Sequence, residues 1–157
     1  MSSLASFFSQ VEASAVASAI RDSVLLTGTL SGLHLIGLTL LVGSVLVSSM
    51  RLVGLQFNDQ PIAEVTRAAR RGSVLGLALS VSTGLLLVAP RIATASTDRV
   101  FIIKMLILFT AAVFHFAIYQ PAARGLRSVV SPAIAGGVTF LLWFGVVLAG
   151  CAFILLE

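Results

Sequence analysis

The sequence predicts an all-α integral membrane protein, an up-down bundle of four transmembrane helices with almost no mass outside the bilayer. Three observations lead there. The 157 residues are 58% hydrophobic and only 10% charged, against roughly 25% charged in a soluble domain. Mean hydropathy is +1.09, so the chain has too little polar surface to cover itself and its outer solvent must be lipid. The apolar runs are continuous rather than alternating, which fits helices and not the strands of a closed barrel.

Charges mark the limits of each span. Uncharged runs of 28 residues (23–50), 19 residues (72–90) and 29 residues (128–156) lie between charged neighbours, and a fourth of 24 residues (100–123) is broken only by Lys104. A bilayer core needs about 20 residues of helix, so each run is one span, at about 23–50, 72–90, 100–121 and 132–155. Asn58, Asp59 and Pro61 read as a cap followed by proline in a first turn, with Glu64 suited to the helix dipole. The second helix is therefore expected to begin near Gln60, before the membrane, and to end at Pro90. Residues Ile92 to Thr97 read as a short polar turn. Gln120-Pro121 should bend or end the third helix, and Ser131-Pro132 should start the fourth. Near the N-terminus, Leu4, Phe7, Phe8 and Val11 recur at helical spacing. They fit a short interfacial helix or the first turns of a long helix one. The Ser/Ala-rich stretch before the first span lacks a basic start, so no signal peptide is expected.

The net charge of +4 does not indicate nucleic acid, because the basic residues sit between apolar runs and form no stripe that follows phosphates. They instead set topology. Arg51, Arg67, Arg70, Arg71, Arg124 and Arg127 lie on one side, against Arg21, Arg91 and Arg99 on the other. The positive-inside rule then places both termini outside. The single Cys151 excludes an internal disulfide and a cysteine-cluster metal site; in an apolar run it reads as a small packing residue. Small residues every fourth position (Gly72, Gly76, Ser80, Gly84), the Gly28/Gly32 pair, and Gly145 with Ala149 allow close helix approach, within the bundle or between copies of a homo-oligomer or a redox partner subunit. Tyr119 reads as an interface anchor, and mid-span Trp143 as needing an internal partner.

Ionisable groups inside a membrane are costly and mark function. The chain has three, His34, Lys104 and His115, and these are also its only lysine and its only histidines. His34 lies deep in span one beside the notch left by Gly37. His115 lies deep in span three, three turns after Lys104 on the same face, with Ala111 leaving space between them. Axial imidazoles, an apolar slot and a cation for propionates are what haem b requires. His34 and His115 are the candidate iron ligands, with Lys104, Gly37 and Ala111 around the macrocycle and Arg21, Arg91 and Arg99 as further propionate partners. The two histidines differ in depth by roughly 7 Å, so one haem held by both, one held by a single histidine, or two haems all fit. The spans hold no Asp or Glu for a carboxylate relay, and methionines are too few for a thioether copper path.

The segment HLIGLTLLVGSVLVSSMRLVG beginning at His34 resembles the first-helix motif of a bacterial family of small four-helix membrane proteins. FIIKMLILFTAAVFH, ending at His115, is similar to that family's Phe-x-x-Lys…His pattern. A more distant similarity is to HemJ-type protoporphyrinogen oxidases, four-helix proteins that bind haem b. The matching positions are His34, Arg51, Lys104 and His115. The resemblance implies a bacterial inner-membrane location, a haem b site that includes Arg51, and either electron transfer or a porphyrin or quinone oxidoreductase activity. A non-catalytic scaffold subunit is the third reading. CopD-type membrane proteins share the small-helix layout, but the ligands expected for copper are missing here. The stretch before Arg51 also lacks the tyrosine- and proline-containing pattern of the oxidases.

The arginine imbalance generates the first prediction. A reporter fused after Glu157 should be active only when the reporter works outside the cytoplasm; activity of a cytoplasm-dependent reporter there would reverse the topology.

Overall fold

In the computed structural model, which describes residues 2–124 and 130–155, the described residues are mostly helical, with short non-helical connections such as 54–61 and 96–98. Arg127 and Glu157, on which part of the topology reading rests, lie outside the described residues. Two short helices, α1 (Ser2–Glu12) and α2 (Ala15–Asp22), precede α3 (Val24–Val53) and α4 (Ile62–Val88). A 3₁₀ turn (Ala89–Arg91) and a one-turn helix α5 (Ile92–Ala95) lead into α6 (Arg99–Phe114). A π-turn (His115–Tyr119), α7 (Gln120–Ala123) and α8 (Pro132–Leu155) complete the chain. Four of these segments are long and apolar enough to cross a membrane: Val24–Val53, Ile62–Ala95, Arg99–Ala123 and Pro132–Cys151. The protein is a multi-pass membrane protein.

Local chemistry explains the ends. Ser23 Oγ accepts from the Leu26 amide at 3.2 Å and opens α3. Asp98 Oδ1 does the same for α6 from Phe101 at 2.8 Å. These are side-chain acceptors for amides that a first turn leaves orphaned. Gly54 closes α3 at φ +81°, a left-handed position that glycine fills without a Cβ penalty. The amide of Asn58 donates to the Gly54 carbonyl at 2.8 Å, so Asn58 closes α3 and does not cap α4, as the sequence pattern suggests. α4 starts after Pro61 with no side-chain cap.

Three other expectations are corrected. The stretch Ile92–Thr97 is not a simple polar turn, since its first four residues continue the helix past Pro90. The N-terminal residues are not the first turns of helix one. Ser14 and Ser23 each cap a new helix, so α1 and α2 are separate, and they pack on α3 and on the Ala89–Ala95 turn. Cys151 is exposed on the outside of α8 rather than packed.

The bundle is built around α3, which packs along much of its length on α4 and also on α8; α8 in turn packs on α6. α4 makes little or no direct contact with α6 and meets the third span through α7. The α3–α4 seam is made by the small-residue stripe of span two. A Cβ on Gly76 would sit 2.5 Å from the Leu41 amide nitrogen and 2.7 Å from the Gly37 carbonyl oxygen. A Cβ on Gly37 would meet Ser80 Oγ at 2.6 Å and the Ser80 amide nitrogen at 2.8 Å, and one on Gly72 would collide with Ser44. The backbones touch, as small residues permit in lipid. By contrast, a Cβ on Gly28 or Gly32 would meet nothing within 4 Å.

The seam predicts unequal glycine substitutions. Gly76→Ala should lower stability by about 1–3 kcal/mol through overpacking against backbone. Gly28→Ala should be neutral or stabilising, because alanine is the better helix former by about 1 kcal/mol. Unfolding of both variants in mixed detergent measures this, and equal effects would contradict the seam.

Candidate functional site

His34 lies on the buried stripe of α3, in line with Leu30, Gly37, Leu41 and Val45, and is itself half-buried. Its ring rests on α4: a Cβ on Gly84 would be 3.0 Å from His34 Cε1. Nδ1 is 2.9 Å from the Ser80 carbonyl oxygen and 3.1 Å from Thr83 Oγ1. A carbonyl oxygen can only accept, so Nδ1 carries the proton and Nε2 keeps its lone pair. The Thr83 hydroxyl donates to Leu79 O at 2.6 Å, which leaves its lone pairs facing the same Nδ1–H. Ring orientation and tautomer are thus set from α4.

Lys104 on α6 is close enough to act electrostatically on His34. Its Cε and Nζ would lie 3.7 and 3.8 Å from a Cβ on Gly150 of α8. His34 on α3 and Lys104 on α6 therefore lie in the same half of the bundle, each resting on a glycine of a neighbouring helix. One turn nearer the start of α3, α2, α3 and α4 border an open apolar groove of about 340 Å³, lined by Ile20, Leu26, Leu30 and Leu86 among others. Arg21 at the end of α2 donates to Glu12 O at 3.3 Å.

The remaining predicted residues do not join this site. Gly37 leaves no slot for a macrocycle, because the backbone of α4 at Gly76 and Ser80 fills the notch. Ala111 is fully buried against a core that includes Leu41, Val45, Trp143 and Val146, so its space is filled too. Arg51 sits at the far end of α3 and donates through Nε to Gln60 O at 2.9 Å, tying the α3–α4 loop. Seventeen residues separate it from His34, roughly 25 Å of helix.

His115 is also set apart. It shares a small cavity of about 10 Å³ with Ser44 and Ser48 of α3, ten and fourteen residues beyond His34. That is roughly 15–20 Å along the axis, well beyond the 7 Å offset expected from the sequence. Charges delimit each span but not the register between spans: α3 runs 30 residues against 25 for the third span, and its first residues, Val24 and Leu25, project exposed from the bundle. His34 and His115 cannot ligate one iron at this separation.

The surroundings of His115 come from Pro121. Proline has no N–H and its ring crowds the carbonyl four residues back, so the helix widens into a π-turn, and the Gln120 amide bonds back to His115 O. Residues five apart then share a face. Gln120 Nε2 donates to His115 Nε2 at 3.1 Å, which leaves the proton on Nδ1. Tyr119 stacks on the ring with centroids 4.9 Å apart, and Phe116 and Trp143 meet it edge-on at 5.1 and 6.1 Å. The imidazole is 1% exposed. Its Nε2 is occupied and its faces are packed, so His115 does not fit as a haem ligand. Tyr119, expected as an interface anchor, is buried and bonds Ser48 and Ser49; Ser49 in turn donates to Gly136 O of α8 at 2.9 Å. Sequence reasoning missed this polar cluster; its available signal was a Gln-Pro dipeptide five residues past a histidine.

Among the described residues, no group of three or more His, Cys, Asp or Glu could hold a metal ion. A metal at His34 would have to arrive with ligands of its own. Haem is a group of that kind, with four pyrrole nitrogens and one axial position left for a protein imidazole.

No curated protein and no solved structure matches the sequence. Residues 7–155 match a profile described as a family of unknown function. That match spans nearly the whole sequence, and the chain belongs to the DUF6644 family.

Proposed function

We propose that this chain is a membrane-embedded haem b protein of the electron-transfer type, a small cytochrome-like carrier or the membrane subunit of a redox complex in the bacterial inner membrane. The observation that carries the proposal is the His34 Nδ1–H bond to the Ser80 carbonyl. Histidines that ligate metals almost always donate their second ring nitrogen in this way, which fixes the tautomer and raises ligand basicity. In this reading Nε2 of His34 holds the iron, Ser80 and Thr83 hold the ring, and Lys104 offers a cation to the propionates. When bound, haem supplies an iron that carries one electron at a time. His115 takes no part in ligation.

A second reading has one observation in its favour. The open faces of Gly28 and Gly32 suit a second copy or a partner subunit, and a scaffold role would need nothing more.

One experiment separates the readings. Protein purified from cells with ample haem should show a Soret band and an α-band in reduced-minus-oxidised spectra. His34→Ala should lower haem content at least tenfold, while His115→Ala keeps it. Wild-type protein without these bands leaves the scaffold reading in front; equal loss in both variants overturns the single-histidine assignment. Lys104→Ala should shift the midpoint potential of a simple carrier. A porphyrin or quinone oxidoreductase would instead lose turnover and keep its haem.

A further inference from the structure

The haem reading leaves the polar cavity beside His115 unused. It is lined by Ser44, Ser48, Thr66, Ser73, Gln120 and Arg70; the Thr66 and Ser73 hydroxyls donate to carbonyls of their own helix and keep lone pairs that can accept. Its volume of about 10 Å³ is close to one probe sphere, room for a single water. A water there has several polar partners, which is what holds buried water in place. Arg70 is exposed while it lines the cavity, and Thr66 and Ala69 border the same space from the early turns of α4. The cavity therefore reaches toward the aqueous boundary at the arginine-rich end of the bundle.

The second observation is independent of the cavity. His115 is 1% exposed and its Nδ1 has no hydrogen-bond partner. On the neighbouring α8, Thr139 Oγ1 and Trp143 Nε1 are likewise buried without partners. Leaving such groups unsatisfied in a membrane interior costs on the order of 1–3 kcal/mol each, and buried water is the usual remedy. The polar groups that touch His115 or line its cavity are Thr66, Arg70 and Ser73 from α4, Ser44 and Ser48 from α3, Trp143 from α8, and Tyr119 and Gln120 on its own helix. Arg70 is the one cation among them, and none is a carboxylate.

We propose that this pocket is a proton-exchange site, in which a water passes protons between the His115 ring and the aqueous phase at the arginine-rich end. Nδ1 already carries the ring proton and Nε2 is held by Gln120, so Gln120, itself in the cavity wall, turns aside while the water gives a proton to Nε2 and takes one from the next water outside; one positive charge moves inward and no atom is gained or lost. Release reverses the step. Arg70, as the neighbouring cation, opposes a standing charge on His115, which makes the ring a transient carrier rather than a permanent cation. The site does not require haem at His34.

The two histidines make the test direct. Protein labelled with ¹⁵N-histidine and held in lipid nanodiscs gives two sets of ring signals, assigned by His115→Phe. The His115 ring N–H should exchange with water despite its burial. Ser73→Val or Ala69→Leu, which fill the cavity, should each slow that exchange at least tenfold and leave His34 unchanged. Exchange in the wild type as slow as in the filled variants overturns the proposal, as does equal exchange in a folded filled variant. Repeating the measurement in His34→Ala protein should give the same His115 rates. A failed haem assignment is thereby distinguished from a failed proton site.

Discussion

Helices α3 and α4 approach to backbone contact because glycine stands wherever a side chain would hold them apart. Gly37 on one helix and Gly72, Gly76 and Gly84 on the other make that seam. Lipid offers little hydrophobic drive for helices to associate, so close packing of small residues does much of the work. The seam has a chemical result as well as a mechanical one. Only at this separation does the Ser80 carbonyl, a group already within a helix, reach across to a side chain on the neighbouring helix and accept a hydrogen bond from the His34 Nδ1–H. The tautomer of His34 thus depends on glycines about one turn from the two bonded residues, Gly37 beside His34 and Gly76 and Gly84 on either side of Ser80.

The half of the bundle around α7 is organised by a different constraint. Pro121 cannot continue a regular helix, and the π-turn it forces brings His115 and Gln120 to one face and swings Tyr119 inward to Ser48 and Ser49. Aromatic rings close the remaining sides. The two histidines therefore occupy different environments, one half-buried with a ring nitrogen available, the other enclosed beside a water-sized space.

Much of the architecture was legible in the sequence. The charges that bound each apolar run located the four spans, and the four-residue spacing of Gly72, Gly76, Ser80 and Gly84 announced a close helix contact. His34 and Lys104 stood out because ionisable groups are rare in lipid. What a single helix cannot reveal is what its neighbour brings. The gaps beside Gly37 and Ala111 looked like room for a cofactor, but Ser80 and the Leu41–Trp143 core fill them. Arg51, linked to the site by resemblance, stands at the opposite end, bonded to Gln60. The offset between His34 and His115 was misjudged because run length says nothing about register between helices. The π-turn was half legible: proline warned of a bend, but the pairing it creates depends on a helix type that periodicity does not anticipate.

The account rests on α4 presenting a flat, open surface to His34, and Gly84 is where that surface is most exposed to test. Its Cβ would come within 3.0 Å of the imidazole, so Gly84→Val should push the ring from the Ser80 carbonyl without touching iron, cation or the second histidine. The measurement is haem per folded protein for Gly84→Val, with Gly28→Val as the control on an open face. The account predicts a loss of at least fivefold in the first and none in the second; a folded Gly84→Val protein with full haem content would contradict it.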